Sequence, residues 1–379
     1  MDQVVRYQFN QCVARYKGGY WVKSFSCWEQ FLAVAFGQLS FRESLRDIVV
    51  CLAAHRGKLY HLGFRSAVSR NTLAHANEKH DWKIWRDYAQ LLISEARGLY
   101  ADDEAFSLDL GGTAYVIDST TIELCLSIFP WARLVKKRAA LKLHLELALG
   151  GNIPSFFDFS SGLSPDVFFL DRIDFEAEAY YVMDRGYIDY GRLHKIHRAG
   201  AYFVVRAKDN LAFRRVYSMP AKKEAGVQCD QVIRLTGYYA AKEYPDKLRR
   251  IKYFNAETSQ TYVFLTNNFV LDAEIIAQLY KCRWQIELFF KWIKQHLSVK
   301  VFWGRSANAV KTQICIALCA YLLVAILKKK LGITRSSYEI LQILSVSLFD
   351  KTLVFTLISE AVAQPAEDNR LKMATLWDY

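Results

Sequence analysis

The chain has 379 residues, 52% hydrophobic and 15% aromatic, which excludes intrinsic disorder and suffices for two or three domains. Its formal net charge of +12 points to a polyanionic partner through phosphate neutralisation and counterion release, against the plainer reading of a merely soluble basic protein. The eight cysteines are scattered and form no paired CxxC motifs, so disulfide frameworks and zinc sites are disfavoured and a reducing cytosol fits.

The opening "MDQVVRYQFNQCVARYKGG" lacks the apolar core of a signal peptide. Residues 1–105 read as a mainly helical domain. "SFRESLRDIVVCLAAHRGK" starts with a Ser cap at Ser40 and repeats apolar residues at helical spacing; Ser69 caps a second helical element. Two helices, a short turn and surplus basic charge permit a helix-turn-helix DNA reader, with a plain helical domain as the alternative.

The period then changes to that of strands. "GTAYVIDST" is a β-branched and aromatic run ending at Asp118, and "LKLHLELALGGNIPSFFDFSSG" alternates through Leu141 to Leu149, turns at Gly-Gly-Asn and continues as a strand. "DVFFLDRIDFEAEA" reads as a helix, "YYVMD" as a strand ending at Asp184, "YGRLHKIHRAG" as a helix and "AYFVVRAKD" as a strand. Strands followed by alternating helices and strands indicate an α/β core with a mixed sheet. A β-rich insertion spans about residues 210–261, "TYVFLTNN" restores a core strand, and a helix runs over Leu279–Leu297. The region 301–379 reads as helical; its apolar run "ICIALCAYLLVAIL" has 14 residues, short of the roughly 20 that span a bilayer, so a buried helix is expected.

The helix over Leu279–Leu297 carries the chemistry. At about 100° per residue, Tyr280, Arg283, Glu287, Lys291 and Lys294 fall within an arc of about 80°, opposite Ile286, Phe289, Trp292 and Ile293. Alone, such a stripe is an ordinary solvated face with i,i+4 ion pairs. Asp118 and Asp184, alone, are turn formers or caps. Together, two strand-end aspartates and a helical glutamate can hold a pair of Mg²⁺ ions about 4 Å apart for in-line phosphodiester displacement. Arg283 then has a phosphate to bind in bidentate fashion, Lys294 supplies a point charge, and Tyr280 donates to a phosphate or stacks on an unpaired base. In "FPWARLVKKRAALKLH", Arg133, Lys136, Lys137, Arg138 and Lys142 are either a solvated run or contacts to the DNA backbone. His194 and His197 lie three apart on a helix with no evident carboxylate to complete a metal site, and Cys315 and Cys319 read as buried small side chains.

The pattern Y-x2-R-x3-E-x6-K, as Tyr280, Arg283, Glu287 and Lys294, resembles the signature of bacterial insertion-sequence transposases of family four, the YREK group of DDE transposases. "VIDST" around Asp118 and "VMDRGY" around Asp184 resemble that group's two aspartate motifs, and the longer second gap matches its β-rich insertion. The resemblance extends through "FVVRAKD", "VFWGRSANAVKTQI" and the N-terminal helical part, nearly the whole chain. It implies a ribonuclease H-like mixed-sheet catalytic core over 106–300, flanked by an N-terminal helical DNA-binding domain and a C-terminal helical region. It also implies a Mg-dependent enzyme with Asp118, Asp184 and Glu287 as catalytic metal ligands. Two Mg²⁺ ions are expected, with Mn²⁺ able to substitute. The expected partners are double-stranded DNA, both terminal inverted repeats and target, and a second copy in a homodimeric DNA complex; no membrane is expected, and the location is the bacterial cytoplasm. Some relatives stack a flipped base on aromatics; the insertion here offers Tyr238, Tyr239, Tyr244 and Tyr253 but no Trp, and Trp303 is a substitute candidate. Two other readings stay open: a structure-specific nuclease without strand transfer, and a DNA-binding regulator descended from a transposase.

Overall fold

The computed structural model describes residues 3–20, 22, 24–101, 108, 110–135, 138–297, 299 and 301–349. Six helices come first: α1 (Gln3–Arg15), α2 (Cys27–Leu39), α3 (Leu45–Ala54), α4 (Arg56–Leu62), α5 (Arg70–Lys79) and α6 (Lys83–Tyr100). Side-chain caps start three of them, Ser26 on α2, Ser44 on α3 and Ser69 on α5, each satisfying an otherwise orphaned amide. The cap of α3 is therefore Ser44 rather than Ser40, which ends α2 by donating its hydroxyl to Phe36 O.

The strands and helices that follow are β1 (Ala114–Leu124), β2 (Arg133–Val135), β3 (Arg138–Ala148), β4 (Ile153–Ser161), β5 (Tyr180–Met183), α7 (Tyr190–Arg198), β6 (Tyr202–Arg206), β7 (Phe213–Met219), β8 (Val227–Leu235), α8 (Tyr238–Glu243), β9 (Leu248–Asn255) and β10 (Gln260–Thr266). Four further helices follow among the described residues: α9 (Ala273–Lys281), α10 (Trp284–His296), α11 (Ala307–Lys330) and α12 (Ser337–Ser347). "DVFFLDRIDFEAEA" forms only a 3-10 helix over Asp166–Arg172 and then an irregular segment, a correction to the expected α-helix. Phe169, Leu170 and Ile173 are buried there, so packing of that apolar side, not helix propensity, decides its path.

Among the described residues, ten strands join one mixed sheet in the order β2-β3-β1-β5-β6-β10-β9-β8-β7, with β4 on β3. β1 is antiparallel to β3 and parallel to β5, and β5 is parallel to β6. The insertion between β6 and α9 extends this same sheet, because β10 pairs antiparallel with both β6 and β9. A buried ion pair anchors it: Arg249 reaches Asp230 at 2.7 Å, and both side chains are almost fully enclosed.

The sheet is covered on both faces. One face carries α9, α10, α11 and the N-terminal helices; the other carries α7, the 3-10 turns and α8. This double cover explains β3, where not only Leu141, Leu143, Leu145 and Leu147 but also His144 and Glu146 are buried. α11 is the one helix among the described residues long and apolar enough to cross a membrane by length and composition, and 78% of its apolar window is buried inside the protein. It packs against α6, α2 and α5, so α11 and the N-terminal helices share one helical layer. Asn308 fastens that layer, accepting from Trp82 N–H and donating to the carbonyls of Asn77 and His80. Cys315 and Cys319 are fully buried in α11, as expected of small core side chains.

Candidate active site

Strand register sets the first two carboxylates side by side. The parallel pairing of β1 with β5 ends at Ile117 opposite Met183, so Asp118 and Asp184 are the next residues on adjacent strands. Asp118 is not at a strand end, as the sequence suggested: β1 continues to Leu124, paired with β3 alone. Asp184 does terminate its strand, and its Oδ1 accepts from Gly186 N–H at 2.7 Å in a 3-10 turn.

The third carboxylate comes from the helical face. The expected continuous helix over Leu279–Leu297 is two helices, α9 and α10, broken at Cys282–Arg283. Tyr280 thus lies on α9, and Arg283 starts α10 four residues before Glu287. The apolar side behaves as its spacing predicts: Ile286, Phe289 and Ile293 are buried against the core. This fixes the polar stripe toward β1. Arg283 donates to Asp118 Oδ2 at 3.3 Å and to Glu287 Oε1 at 2.5 Å, spanning two carboxylates with one guanidinium. Lys294 donates to Thr120 Oγ1 at 2.5 Å and to Thr121 O at 3.1 Å, two residues further along β1 on the same face. Lys291 is exposed.

Burial raises the Asp118 carboxyl to about 6, the amide of Ser119 and Arg283 oppose the rise, and the charges of Asp184 and Glu287 add to it. Burial, more than the neighbouring charges, sets this rise, and a cation among the three carboxylates would offset it. Three carboxylates with hard oxygen donors suit a divalent ion of the magnesium type, and Arg283 already stands as a cation against two of them. Tyr280 is half-buried, its ring 4.7 Å from Phe264 and under the Arg283 guanidinium at 6.0 Å. From Tyr280 and Arg283 a groove of about 810 Å³ runs past Arg206 to Lys223 and Gly226 of the insertion.

A second network behind Asp118 was not legible in the sequence. Asp166 accepts from Ser119 Oγ at 2.8 Å and from Lys142 Nζ at 2.9 Å, tying the residue after Asp118 to β3. Lys142 also donates to Ser164 O, so its charge is turned toward Asp166. Of the other residues in that basic run, Arg133 is exposed on β2, Lys136 and Lys137 lie outside the described residues, and Arg138 opens β3. Asp166 lies 47 residues from Ser119 and 24 from Lys142 in a segment with no motif, and no local signal could have found it. Trp303 is half-buried with its ring at Gly37, so it is packed into the helical layer rather than offered for stacking. Tyr244 is buried, whereas Tyr238 and Tyr239 are exposed. His194 and His197 do meet a carboxylate, contrary to expectation: Asp246 arrives from the loop after α8.

Residues 109–323 match the model of the transposase DDE domain. The chain belongs to this family. Residues 1–65 match a domain of unknown function, DUF4372. Over 240 residues the chain is 34% identical to a putative transposase of Sinorhizobium fredii, covering 62% of this chain and 67% of that protein. It is 31% identical over 210 residues to a probable transposase for an insertion sequence element of Geobacillus stearothermophilus, covering 55% of each. The piggyBac transposase in its synaptic complex with hairpin DNA is similar at a TM-score of 0.44 and 10% identity, over 99% of this chain and 82% of that one. As a member of the family, the chain is a transposase of the insertion-sequence type, an enzyme class of nucleic-acid cleavage and transfer. Asp118, Asp184 and Glu287 all fall inside its DDE domain.

Proposed function

We propose that this transposase belongs to family four, the YREK group, and acts on its own insertion sequence. It binds the terminal inverted repeats, cuts the phosphodiester at the element ends and joins the 3′-hydroxyl to target DNA. The observation that carries this reading is the convergence of Asp118, Glu287 and Arg283, with Asp184 level with Asp118 on the neighbouring strand. The sheet order supports a ribonuclease H-like core, with β3 antiparallel on one side of β1 and β5 and β6 parallel on the other.

Asp118, Asp184 and Glu287 would hold two Mg²⁺ ions, with Mn²⁺ able to replace them. Such a pair supplies activation of the attacking oxygen and stabilisation of the leaving oxygen. The chain's own residues do the positioning. Ser119 N–H holds Asp118 Oδ1 at 2.8 Å, leaving Oδ2 toward Arg283. Arg283 can exchange its carboxylates for the non-bridging oxygens of a phosphate, which its planar fork matches equally well. Lys294, held at Thr120, marks a further phosphate along β1, and Tyr280 faces the groove at the edge of the DNA path. The helical domain over 1–105 would bind DNA, the complex would be homodimeric, and the enzyme would work in the bacterial cytoplasm on DNA, not on a membrane.

The test incubates the protein with Mg²⁺ and duplexes carrying the element's terminal repeats, then offers pre-cut ends. The wild type should nick the first and join the second; Asp118→Asn and Glu287→Gln should bind both and do neither. Nicking without joining would replace the reading with a nuclease. Binding without either reaction, in the wild type, would replace it with a regulator.

A further inference from the structure

α7 lies on the sheet face opposite α10 and packs through Leu193 and Ile196. It carries His194 and His197 one turn apart, and the loop between α8 and β9 brings Asp246 of the insertion to both. Asp246 Oδ2 stands 3.0 Å from His194 Nε2 and 3.9 Å from His197 Nδ1. One ligand atom from each of the three lies within 4.8 Å of the other two.

The floor of this cluster is built. Tyr244 is 1% exposed, its hydroxyl is 2.8 Å from His197 Nδ1, and its ring stacks on His197 at 5.7 Å and meets His194 edge-on at 5.1 Å. Both imidazoles thus pack on the Tyr244 ring, whose hydroxyl also meets His197, while Asp246 is open to solvent. Metal-binding histidines are oriented in this way by partners that do not themselves touch the ion.

We propose that His194, His197 and Asp246 form a binding site for one divalent ion of the zinc type. Two imidazoles and a carboxylate suit Zn²⁺, Co²⁺ or Ni²⁺ far better than Mg²⁺, which takes oxygen ligands. Three protein ligands leave a fourth position to water. Ligation through His197 Nδ1, the nitrogen that faces Asp246, would exchange its contact with the Tyr244 hydroxyl for the ion. The ion joins two parts of the chain that otherwise meet through α7 and α8, fixing the insertion to the core helix that follows Asp184. It is distinct from the catalytic carboxylates, which open on the other sheet face.

The test uses the full chain carrying Asp118→Asn and Glu287→Gln, so that the catalytic carboxylates compete less, after removal of metals with a chelator. Titration with ZnCl₂, followed by calorimetry and thermal unfolding, should show one equivalent bound and a rise in Tm, since an ion that binds only the folded state stabilises it by mass action. Co²⁺ in the same site should give visible absorption of a nitrogen- and oxygen-ligated ion. Asp246→Asn, at an exposed position that circular dichroism can verify as folded, should weaken binding by about tenfold or more, and His194→Ala should abolish the shift. Absence of stoichiometric binding overturns the proposal, as does binding that Asp246→Asn and His194→Ala leave unchanged; in either case the cluster is an ion pair only.

Discussion

Arg283 on α10 faces Asp118 on β1 at 3.3 Å, 165 residues apart in the chain. That contact places a cation of the polar stripe against Asp118 rather than in solvent. It also restrains the Asp118 carboxyl, which burial has raised to about 6.

Replacing Arg283 by Gln should therefore move the Asp118 titration further up, because the charge opposing the rise is lost while burial remains. Carbon-13 NMR of labelled aspartate in the metal-free protein measures it. End cleavage should fall by about tenfold or more, equivalent to about 1.4 kcal/mol of transition-state stabilisation. Arg283→Lys should not rescue, since an ammonium cannot span two carboxylates as the planar fork does. An unmoved titration would show that the pair is not coupled.

The Asp230–Arg249 pair, enclosed in the insertion, leads to a stability prediction. Arg249 also donates to Leu271 O, so it ties β9 to the segment before α9. Asp230→Asn leaves a buried guanidinium uncompensated and should cost about 3–5 kcal/mol in urea unfolding. The double variant Asp230→Leu with Arg249→Met should cost much less, because no charge is then left buried. Equal losses in both would mean that packing, not charge, governs the site.

Glu146 sets a pH dependence of stability. It is buried on β3, accepts from Ser155 Oγ at 2.7 Å, and burial raises its carboxyl from 4.5 to about 7. An acid whose folded value is raised favours folding while protonated: its contribution is whole below 4.5 and declines as pH rises toward 7. The loss across that window is about 3 kcal/mol. Glu146→Gln keeps an acceptor for Ser155 and should flatten this slope, so that it is more stable than the wild type at pH above about 7 in thermal unfolding. A slope identical in both proteins would contradict the assignment.

Gly37 on α2 is where the helical layer receives the segment after α10. A Cβ there would lie 2.5 Å from Ile48 Cδ1 and 2.6 Å from Trp303 Cη2. Gly37→Ala should thus destabilise by about 1–3 kcal/mol despite its better helix propensity. Gly98, on α6 with open space around it, is the control: Gly98→Ala should stabilise by up to about 1 kcal/mol. Equal effects at the two sites would show that the contact at Gly37 relaxes freely.

Much of the site was readable because the spacing of Tyr280, Arg283, Glu287 and Lys294 is local and the apolar residues between them orient the helix. The break at Cys282–Arg283 was not readable, because both residues keep α-type dihedrals or nearly so and no Gly or Pro marks it. Asp118 looked like a strand end because Ser-Thr-Thr follows it, yet β3 supplies a partner for every residue through Leu124.

What the sequence alone determined was the composition of the polar stripe, the order of helices and strands in most of the chain, and the carboxylates in their motifs, since these follow from periodicity and covalent spacing. Tertiary structure alone decided which charges meet. Parallel register set Asp118 beside Asp184, the seating of α10 on β1 turned Arg283 and Lys294 toward that strand, and sheet extension carried Asp246 to His194 and His197. The physical reason is range: propensity and amphipathicity act within one turn or strand, whereas a salt bridge between residues 165 apart exists only after the sheet has been assembled and covered.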